Sequence, residues 1–421
     1  MATPTRVPTS PSSPASSHSP APEVTGSRRH GVGFWVVALA FLTSMAFSTV
    51  PTPLYPLYEE RDGFSTFMVT VVFAVYAVGV MVSLVLAGHV SDWVGRKKIL
   101  LPAIGLELVA AVLFLSSPEL PVLLVARFVS GLGIGMLSAT ATAHLHELHS
   151  AHRPAASAQR FETVSTAANI GGLGLGPLVS GFLAQYVTAP LRLPYAVFAV
   201  LLVVVALAVA LTPETVRELP VRPRYRPQRV SADHGDRAGY VAAATTAFAS
   251  FAVFGLFSSI AAGFVAHSLH RPSHLLAGAV SFLVFGGAAL AQILTARLAP
   301  RAKSTLGLLA EGVGFATLVV GMHAADLTTF LVGGVIAGVG AGLLFKAAVG
   351  AVVAMAAPAR RGEAIAGLFL VAYLGLSVPA VVLGVATLAL SATAAMTWFA
   401  VAVFALLAVV VALNRRSHGA R

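Results

Sequence analysis

Apolar residues fall into twelve runs of about twenty along the chain, and short polar turns separate most of these runs. A helix needs about 20 mostly apolar residues to cross a bilayer. The pattern therefore predicts an all-α polytopic membrane protein with twelve transmembrane helices. The predicted spans lie near residues 33–54, 66–88, 99–117, 120–143, 162–187, 193–212, 239–264, 275–297, 304–322, 327–352, 363–388 and 395–413.

Polar segments divide the chain into two halves of six predicted helices each. Residues 1–31 are rich in Pro and Ser, which predicts a disordered cytoplasmic tail. Residues 214–238 are polar and rich in Pro and Arg, as expected of a cytoplasmic linker. The predicted helix bundles cover residues 32–213 and 239–414, and residues 415–421 form a second cytoplasmic tail.

Composition and charge agree with a membrane location. Hydrophobic residues make up 57% of the chain and charged residues only 10%, whereas soluble domains carry about 25% charged residues. Most Lys and Arg residues fall in alternate loops, which the positive-inside rule assigns to the cytoplasm. This distribution predicts an inner-membrane protein with both termini in the cytoplasm, and it explains the net charge of +11 without nucleic acid. The absence of cysteine excludes a disulfide framework and a thiolate metal site.

The two halves resemble each other in sequence. The fourth predicted helix carries Gly131-x-Gly133-x-Gly135, and the tenth carries Gly338-x-Gly340-x-Gly342. Glu107 and Glu311 lie in the middle of the third and ninth predicted helices. Matches in the same order predict two pseudo-repeated six-helix bundles, an arrangement typical of secondary transporters.

The turn after the second predicted helix reads GHVSDWVGRKK, from Gly88 to Lys98. It resembles the cytoplasmic signature of the major facilitator superfamily, G-x-x-x-D-x-x-G-R-K/R. Gly88 would let a neighbouring helix approach closely, Asp92 would face the positive N-terminus of another helix, and Gly95 permits a tight turn. The alternative is an ordinary positively charged turn at the membrane surface.

These residues are predicted to form an inner gate. Gly88, Asp92, Gly95 and Arg96 come from the signature. Topology places Glu147, at the inner end of the fourth helix, close to Arg96, so we expect an ion pair that closes this gate.

Three residues are candidates for coupling transport to protons. Arg127 begins the run RFVSGLGIG, which resembles the superfamily's R-x-x-x-G-x-G motif, and the resemblance links this arginine to proton movement. An intramembrane arginine normally faces a cavity or a partner; the alternative is snorkelling to the nearby interface. Glu107 and Glu311 are carboxyls inside spans and can exchange protons. The resemblance implies that their helices are peripheral, which favours a structural role for both.

The fifth predicted helix contains a run of small residues around a proline, NIGGLGLGPLVSG. Gly172, Gly176, Pro177 and Gly181 resemble the G-x-x-x-G-P-x-x-x-G element of the antiporter branch of the superfamily. The resemblance favours export over import. Generic close packing of helices is the alternative, and it would not indicate direction.

Four side chains are candidates for contact with a substrate: Tyr55, Asn169, Lys346 and Tyr373. Tyr55 follows prolines at the end of the first helix, where free carbonyls could bind substrate, but an interfacial aromatic belt would have the same pattern. Lys346 either binds an anionic group or snorkels toward the inner headgroups.

Histidines cluster at the end of the fourth predicted helix, in the run HLHELHSAHR. Spacings of three residues could place several of them on one helical face, as zinc ligands require. Because the chain lacks cysteine and a carboxylate framework nearby, a solvated loop is the favoured interpretation, and no metal site is predicted.

Together these patterns predict a secondary active transporter that is not an enzyme and needs no cofactor. The expected activity is proton-coupled efflux of a small apolar or amphipathic organic compound, such as a drug, by a monomer in the lipid bilayer. An importer of a sugar or an organic acid on the same fold is the alternative. A membrane sensor or an integral-membrane enzyme is a more distant one.

Overall fold

The computed structural model describes residues 28–88, 90–216, 224–228, 236–357 and 360–419, with side chains as far as Arg415. The described residues form helices and connecting turns and contain no β-strand. Within the described residues, twelve helices are long and apolar enough to cross a membrane, as predicted. They are α1 (Arg28–Asp62), α2 (Thr66–Ala87), α3 (Arg96–Ser116), α4 (Leu120–His152), α5 (Gln159–Tyr186), α6 (Leu193–Ala210), α7 (Arg237–Ser259), α8 (His274–Leu294), α9 (Pro300–His323), α10 (Leu327–Met355), α11 (Arg361–Ala386) and α12 (Ala392–Arg415).

The predicted tail before Arg28 and much of the predicted linker lie outside the described residues. Twelve alternating spans place the start of α1 and the end of α12 at the same end of the molecule. We call this end the terminal side and the other end the opposite side. The twelve helices form the two six-helix bundles that the sequence predicts, α1–α6 and α7–α12.

The internal repeat is visible in the packing of the two buried carboxyl groups. A Cβ atom added at Gly133 of α4 would lie 2.7 Å from a carboxylate oxygen of Glu107 on α3. At the matching place in the second bundle, a Cβ atom at Gly340 of α10 would meet the backbone and side chain of Glu311 on α9. Each glycine is the middle one of its G-x-G-x-G run, so the two bundles share the same register between these helix pairs.

Two of the spanning helices are irregular. In α1, an α-helix over Arg28–Thr49 is followed by a 3₁₀ turn at Thr52–Leu54 and a short helix over Tyr55–Asp62. Pro51 and Pro53 cannot donate backbone hydrogen bonds, which interrupts the regular helix here. In α5, a π-helical turn at Ala167–Gly171 precedes the glycine-rich segment, and such turns are frequent at functional sites.

The glycine run of α5 brings this helix into direct contact with the backbone of α1. A Cβ atom at Gly172 would lie 2.8 Å from the carbonyl oxygen of Leu42, and one at Gly176 would overlap the carbonyl oxygen of Ala46. Small residues allow helix backbones in a membrane to approach in this way. These two positions therefore fix the distance between α1 and α5.

We expect Gly176→Ala to destabilise the protein by about 1–3 kcal/mol, because the added methyl group must push α1 and α5 apart. Gly171→Ala is the matched control, since nothing lies within 4 Å of a Cβ atom at Gly171. Thermal unfolding in detergent should show a lower melting temperature for Gly176→Ala and no decrease for Gly171→Ala. Equal melting temperatures would contradict the packing role of Gly176.

The fourth helix differs from the prediction at its terminal-side end. The structure continues α4 as far as His152, so the histidine run is helical and does not form a solvated loop. His144 is completely buried, and its Nε2 atom lies 3.2 Å from the carbonyl oxygen of Pro213. A helix of 33 residues is about 50 Å long, longer than the hydrocarbon core. Its last turns therefore project beyond the apolar layer, where they pack against the segment after α6.

Candidate functional site

A central cavity lies where the two bundles meet, and the space inside it, including any part open to solvent, is about 750 Å³. Helices α1, α2, α4 and α5 line it from the first bundle, and α7, α8, α10 and α11 line it from the second. Two of the predicted contact residues, Asn169 and Tyr373, are among the lining side chains. Asn169 lies on the π-helical turn of α5.

Aromatic rings form the wall of the cavity on the side of the second bundle. Phe251 on α7 lies between Phe345 of α10 and Tyr373 of α11, with ring centroids 4.8 and 5.6 Å away. Phe254, one turn further along α7, stacks on Phe285 of α8 at 4.9 Å. These phenylalanines were not among the predicted site residues. The spacing of Phe251, Phe254 and Ser258 on one helical face was the available signal.

Arg127 is the one charged side chain among the described residues that line the central cavity. Only 2% of it is exposed. Its Nη1 atom donates a hydrogen bond of 2.7 Å to the carbonyl oxygen of Ser48 on α1, and its guanidinium lies 4.4 Å from the ring centre of Tyr76 on α2. These contacts hold the charge against the cavity wall and exclude the snorkelling geometry.

The other two coupling candidates do not line the cavity. Glu107 is completely buried between α3 and α4, where Ser130 donates a hydrogen bond of 3.0 Å to one of its oxygens. Glu311 is equally buried, and neither of its oxygens has a hydrogen-bond partner among the described residues. Ala337, three residues before Gly340, occupies the register position that Ser130 has before Gly133. The second bundle therefore lacks the hydroxyl that contacts Glu107 in the first.

A vestibule connects the central cavity to the terminal side. The space inside it, including the part open to solvent, is about 2060 Å³. Asp92, Arg96, Glu147 and Lys346 line it. A neck between the vestibule and the central cavity consists of residues that line both: Ser138, Asn169, Ile170, Phe345 and Phe369.

On the opposite side, direct contacts between the two bundles close the cavity. Gly181 of α5 packs against the backbone of α8 at His274, and Gly278 of α8 packs against the carbonyl oxygen of Pro177. Thr52 of α1 donates a hydrogen bond of 3.2 Å to the carbonyl oxygen of Ser258 on α7. The glycine and the proline of the predicted packing motif thus contribute to this closure.

A second contact on the opposite side joins α2 to α11. A Cβ atom at Gly384 of α11 would lie 3.1 Å from the Cβ atom of Thr70 on α2. The two contacts, α5 with α8 and α2 with α11, flank the cavity. The structure is therefore open to the terminal side and closed to the opposite side.

Contacts between the bundles on the terminal side are few and long. Lys346 of α10 approaches Glu162 of α5 to 3.8 Å, and Arg297 donates a hydrogen bond of 3.3 Å to Gln159. The ion pair of Lys346 and Glu162 is partly exposed, and exposed ion pairs contribute about 0–1 kcal/mol. Lys346 lies in the vestibule, outside the central cavity for which it was a candidate.

Arg96 is the centre of a network at the start of α3. Its Nη2 atom lies 2.7 Å from Glu147 and its Nη1 atom lies 2.5 Å from Asp92. The Nη1 atom also donates a hydrogen bond of 2.8 Å to Ser91. Thr215, after α6, donates a hydrogen bond to the other oxygen of Glu147. The structure thus contains the expected pair of Arg96 and Glu147, although both residues belong to the first bundle.

Two features of the signature differ from the sequence-based expectation. In this conformation Asp92 contacts Arg96, and Glu214 occupies the position at a helix N-terminus, where it accepts hydrogen bonds of 2.9 and 3.0 Å from the backbone of Arg96 and Lys97. A Cβ atom at Gly88 would meet only backbone atoms of its own helix, because the vestibule separates α2 from α11 at this end. Gly95 has a φ of 120°, which favours glycine as expected.

We expect Glu147→Gln to destabilise the protein by about 1–2 kcal/mol, more than Asp92→Asn, which should cost less than about 1 kcal/mol. The reason is exposure: the side chain of Glu147 is 30% exposed and that of Asp92 is 63% exposed. Melting temperatures in detergent would test this order. A reversed order would show that Asp92 carries the Arg96 network.

If Glu147→Gln also left transport and the conformational equilibrium unchanged, its predicted role in the inner gate would be wrong.

Tyr55 lines neither the cavity nor the vestibule in this structure. Its ring is buried, and its hydroxyl has no hydrogen-bond partner in the part of the chain that the structure describes. Thr52, the first residue of the 3₁₀ turn at Thr52–Leu54, lines the cavity, whereas Tyr55, which follows this turn, does not.

The four histidines of the α4 run do not all meet at one point, although His149 and His152 line a common cavity. Within the described ranges, no three His, Asp or Glu side chains are grouped as metal ligands would be.

Comparison with known proteins gives a family match, and the curated relatives align over part of their length. The family model of the Major Facilitator Superfamily matches residues 3–115 and 36–238. An arabinose-proton symporter of Bacillus subtilis is 29% identical over 131 residues, which are 30% of this chain and 28% of the relative. A bacillibactin exporter of Bacillus subtilis is 26% identical over 140 residues, 32% of this chain and 34% of the relative. The chain thus spans about a third or less of the length of these relatives.

Among solved structures, the human organic anion transporter MFSD10 has the same fold. The TM-score is 0.65 at 17% sequence identity, and the match covers 90% of this chain and 99% of that chain. The likeness supports the twelve-helix architecture described above.

Proposed function

The chain belongs to the Major Facilitator Superfamily, and we propose that it is a secondary active transporter that exports a small amphipathic organic compound by alternating access. One observation carries this proposal: a central cavity between the two bundles opens through a neck to one side and is closed on the other. A rocking motion of the bundles about such a cavity would expose it to each side in turn.

The lining of the cavity supports an amphipathic substrate. The phenylalanine wall would cover an aromatic or aliphatic body, and buried apolar area drives binding at about 25 cal/mol per Å². The wall that the first bundle contributes is more polar. It contains the guanidinium of Arg127 and the hydroxyls of Ser48 and Thr49. A positive charge in this low-dielectric site favours an anionic or acceptor group on the substrate and disfavours a cationic one.

The proposed direction of transport is supported by the orientation and by the α5 element. The positive-inside rule makes the terminal side cytoplasmic, so the vestibule would load substrate from the cytoplasm. The glycines of α5 resemble the antiporter branch, which supports export. The curated relatives include both a symporter and an exporter, so the experiment below has separate outcomes for the two directions.

Protons are the proposed driving ion. Arg127 in the cavity wall and Ser130, the hydrogen-bond partner of Glu107, lie three residues apart on α4. This spacing places a buried carboxyl one turn away from the charged group that would contact substrate. Glu107 is therefore the proposed proton carrier, with Arg127 as the residue that senses the substrate. The protein would act as a monomer in the inner membrane, with both termini in the cytoplasm.

Transport in inside-out membrane vesicles would test the proposal. The vesicles receive an imposed proton gradient, acidic inside, and the accumulation of three fluorescent amphipathic dyes is followed: an anionic, a neutral and a cationic one such as ethidium. Vesicles without the protein are the control. We expect accumulation of the anionic or neutral dye, dependent on the gradient, and at least about fivefold less of ethidium.

The outcomes separate the alternatives. Uptake into right-side-out vesicles with an inward proton gradient would indicate an importer of the symporter type. Accumulation of ethidium alone would show that Arg127 does not set the charge preference. Absence of transport for every dye in both orientations would argue against the amphipathic substrate class.

A further inference from the structure

A second cavity lies on the terminal side of the first bundle, away from the transport path. The starts of α1 and α5 and the end of α4 border it, and the space inside, including the part open to solvent, is about 770 Å³. None of the residues that line it also lines the central cavity or the vestibule. The histidine run that the sequence analysis singled out contributes His149 and His152 to this cavity.

The lining is strongly basic. Arg28, Arg153 and Arg160 come from three different segments, and no Asp or Glu belongs to the described lining. None of these three guanidinium groups forms an ion pair with a residue in the described part of the chain. Three arginines from separate segments thus line one cavity with no acidic side chain among the described lining residues. All three are exposed, so solvent screens part of their mutual repulsion, and an anion between them would reduce it further.

Other side chains give the cavity a defined shape. The guanidinium of Arg160 lies 5.4 Å from the ring centre of Trp35, a cation–π contact that fixes its position. The ring of His152 packs against Gly31, where an added Cβ atom would lie 2.9 Å from its Nε2 atom. The Nδ1 atom of His152 is buried and has no partner among the described atoms. A buried polar atom without a partner is available for a hydrogen bond to a ligand.

An exposed apolar stripe continues from the basic cavity along α1. Arg28, Val32, Trp35 and Leu39 follow each other at spacings of four, three and four residues, so they lie on one face of the helix. Val32, Trp35 and Leu39 are each more than half exposed, although α1 is otherwise well buried. This face therefore has a cationic end at the membrane surface and an apolar length below it.

We propose that this cavity binds the phosphate headgroup of an anionic phospholipid, whose acyl chains lie along Val32, Trp35 and Leu39. Guanidinium groups match phosphate oxygens with paired hydrogen bonds, and basic pockets between spanning helices are typical sites for anionic headgroups. A soluble phosphate offers the same chemistry to the arginines, but it would leave the apolar stripe uncovered. The bound lipid connects α1, α4 and α5 at their terminal-side ends.

The test uses the purified full-length chain in a neutral detergent. Phosphatidylglycerol, phosphatidylcholine and inorganic phosphate are titrated separately, and the melting temperature and the number of lipids retained in native mass spectrometry are measured. The site variant is Arg28→Gln/Arg153→Gln/Arg160→Gln. The matched control is Arg301→Gln/Arg361→Gln/Arg415→Gln, which removes three exposed arginines from the terminal side of the second bundle.

We expect the wild type and the control variant to retain one phosphatidylglycerol and to be stabilised by it, whereas phosphatidylcholine has no such effect. The site variant should bind phosphatidylglycerol about 100-fold more weakly, since each arginine near a charged lipid surface contributes roughly a fivefold factor.

Three results would overturn the proposal. Equal weakening in the site and control variants would show that only overall charge attracts the lipid. Stabilisation by inorganic phosphate that matches the effect of phosphatidylglycerol would assign the site to a soluble anion. Equal retention of phosphatidylcholine and phosphatidylglycerol by the wild-type protein would exclude headgroup recognition even if the site variant does not fold.

Discussion

Cross-linking the double variant Thr70→Cys/Gly384→Cys will abolish transport, and reduction will restore it. A Cβ atom at Gly384 lies 3.1 Å from the Cβ atom of Thr70, within a few tenths of an ångström of the roughly 3.5–4.5 Å that a disulfide requires. The bond would join α2 to α11 on the opposite side. Because the two residues belong to different bundles, the bond would hold the bundles together there. The cavity could then no longer open on the opposite side.

The chain contains no cysteine, so no other disulfide can form in this variant. Transport is measured in vesicles before oxidation, after oxidation and after reduction, and cross-linking is scored by the gel mobility of a form cleaved between the bundles. The single variant Thr70→Cys is the control and should keep its activity under oxidation. Gly384→Cys, whose added side chain would meet Oγ1 and Cγ2 of Thr70, is compared with its own activity before oxidation. Full transport by a fully cross-linked protein would contradict alternating access through this closure.

Arg127→Ala should lower the rate of transport by about 100-fold, and Arg127→Lys should retain part of it. A hydrogen bond to a charged group contributes about 1.5–3 kcal/mol, which corresponds to roughly 10–150-fold. Alanine removes both the charge in the cavity and the hydrogen bond to the carbonyl oxygen of Ser48. Lysine keeps a positive charge but lacks the planar group that lies on Tyr76.

The matched control for this prediction is Arg192→Ala, which removes an exposed arginine from the loop before α6. Transport rates are compared at equal amounts of folded protein, determined by size-exclusion chromatography. If Arg127→Ala transports within about twofold of the wild type, Arg127 has a structural role in joining α1, α2 and α4.

The sequence was sufficient to predict the helices, because each span must satisfy its backbone hydrogen bonds within itself and show about twenty apolar residues. The repeat could be predicted for a similar reason. Carboxyl side chains are rare inside apolar runs, so the equivalent positions of Glu107 and Glu311 in the two halves are easily recognised. The cavity positions of Arg127 and Asn169 could also be predicted from the sequence. A polar residue in a span is costly unless it faces a cavity or a partner.

The aromatic wall could not be predicted in the same way. The helices that form it are apolar on all faces, so hydrophobic periodicity does not distinguish the face of Phe251 from the face toward lipid. Glu214 was missed for another reason. Glu214 contacts the start of α3, more than one hundred positions earlier in the chain. A local sequence pattern cannot predict a contact between residues so far apart. Tyr55 was placed at the cavity because the prolines indicated an irregular helix but not the direction of its turn.

The closure on the opposite side has a consequence for how substitutions are tolerated there. At Gly181 and Gly278 the space is filled by backbone atoms of His274 and Pro177 on the facing helix. A backbone carbonyl is the same for every amino acid, so the contact itself imposes no side-chain identity at position 274. Gly181 accepts no larger residue, whereas position 274 accepts many. A saturation mutagenesis scan selected for function should therefore show a one-sided pattern, with an intolerant Gly181 facing a permissive His274.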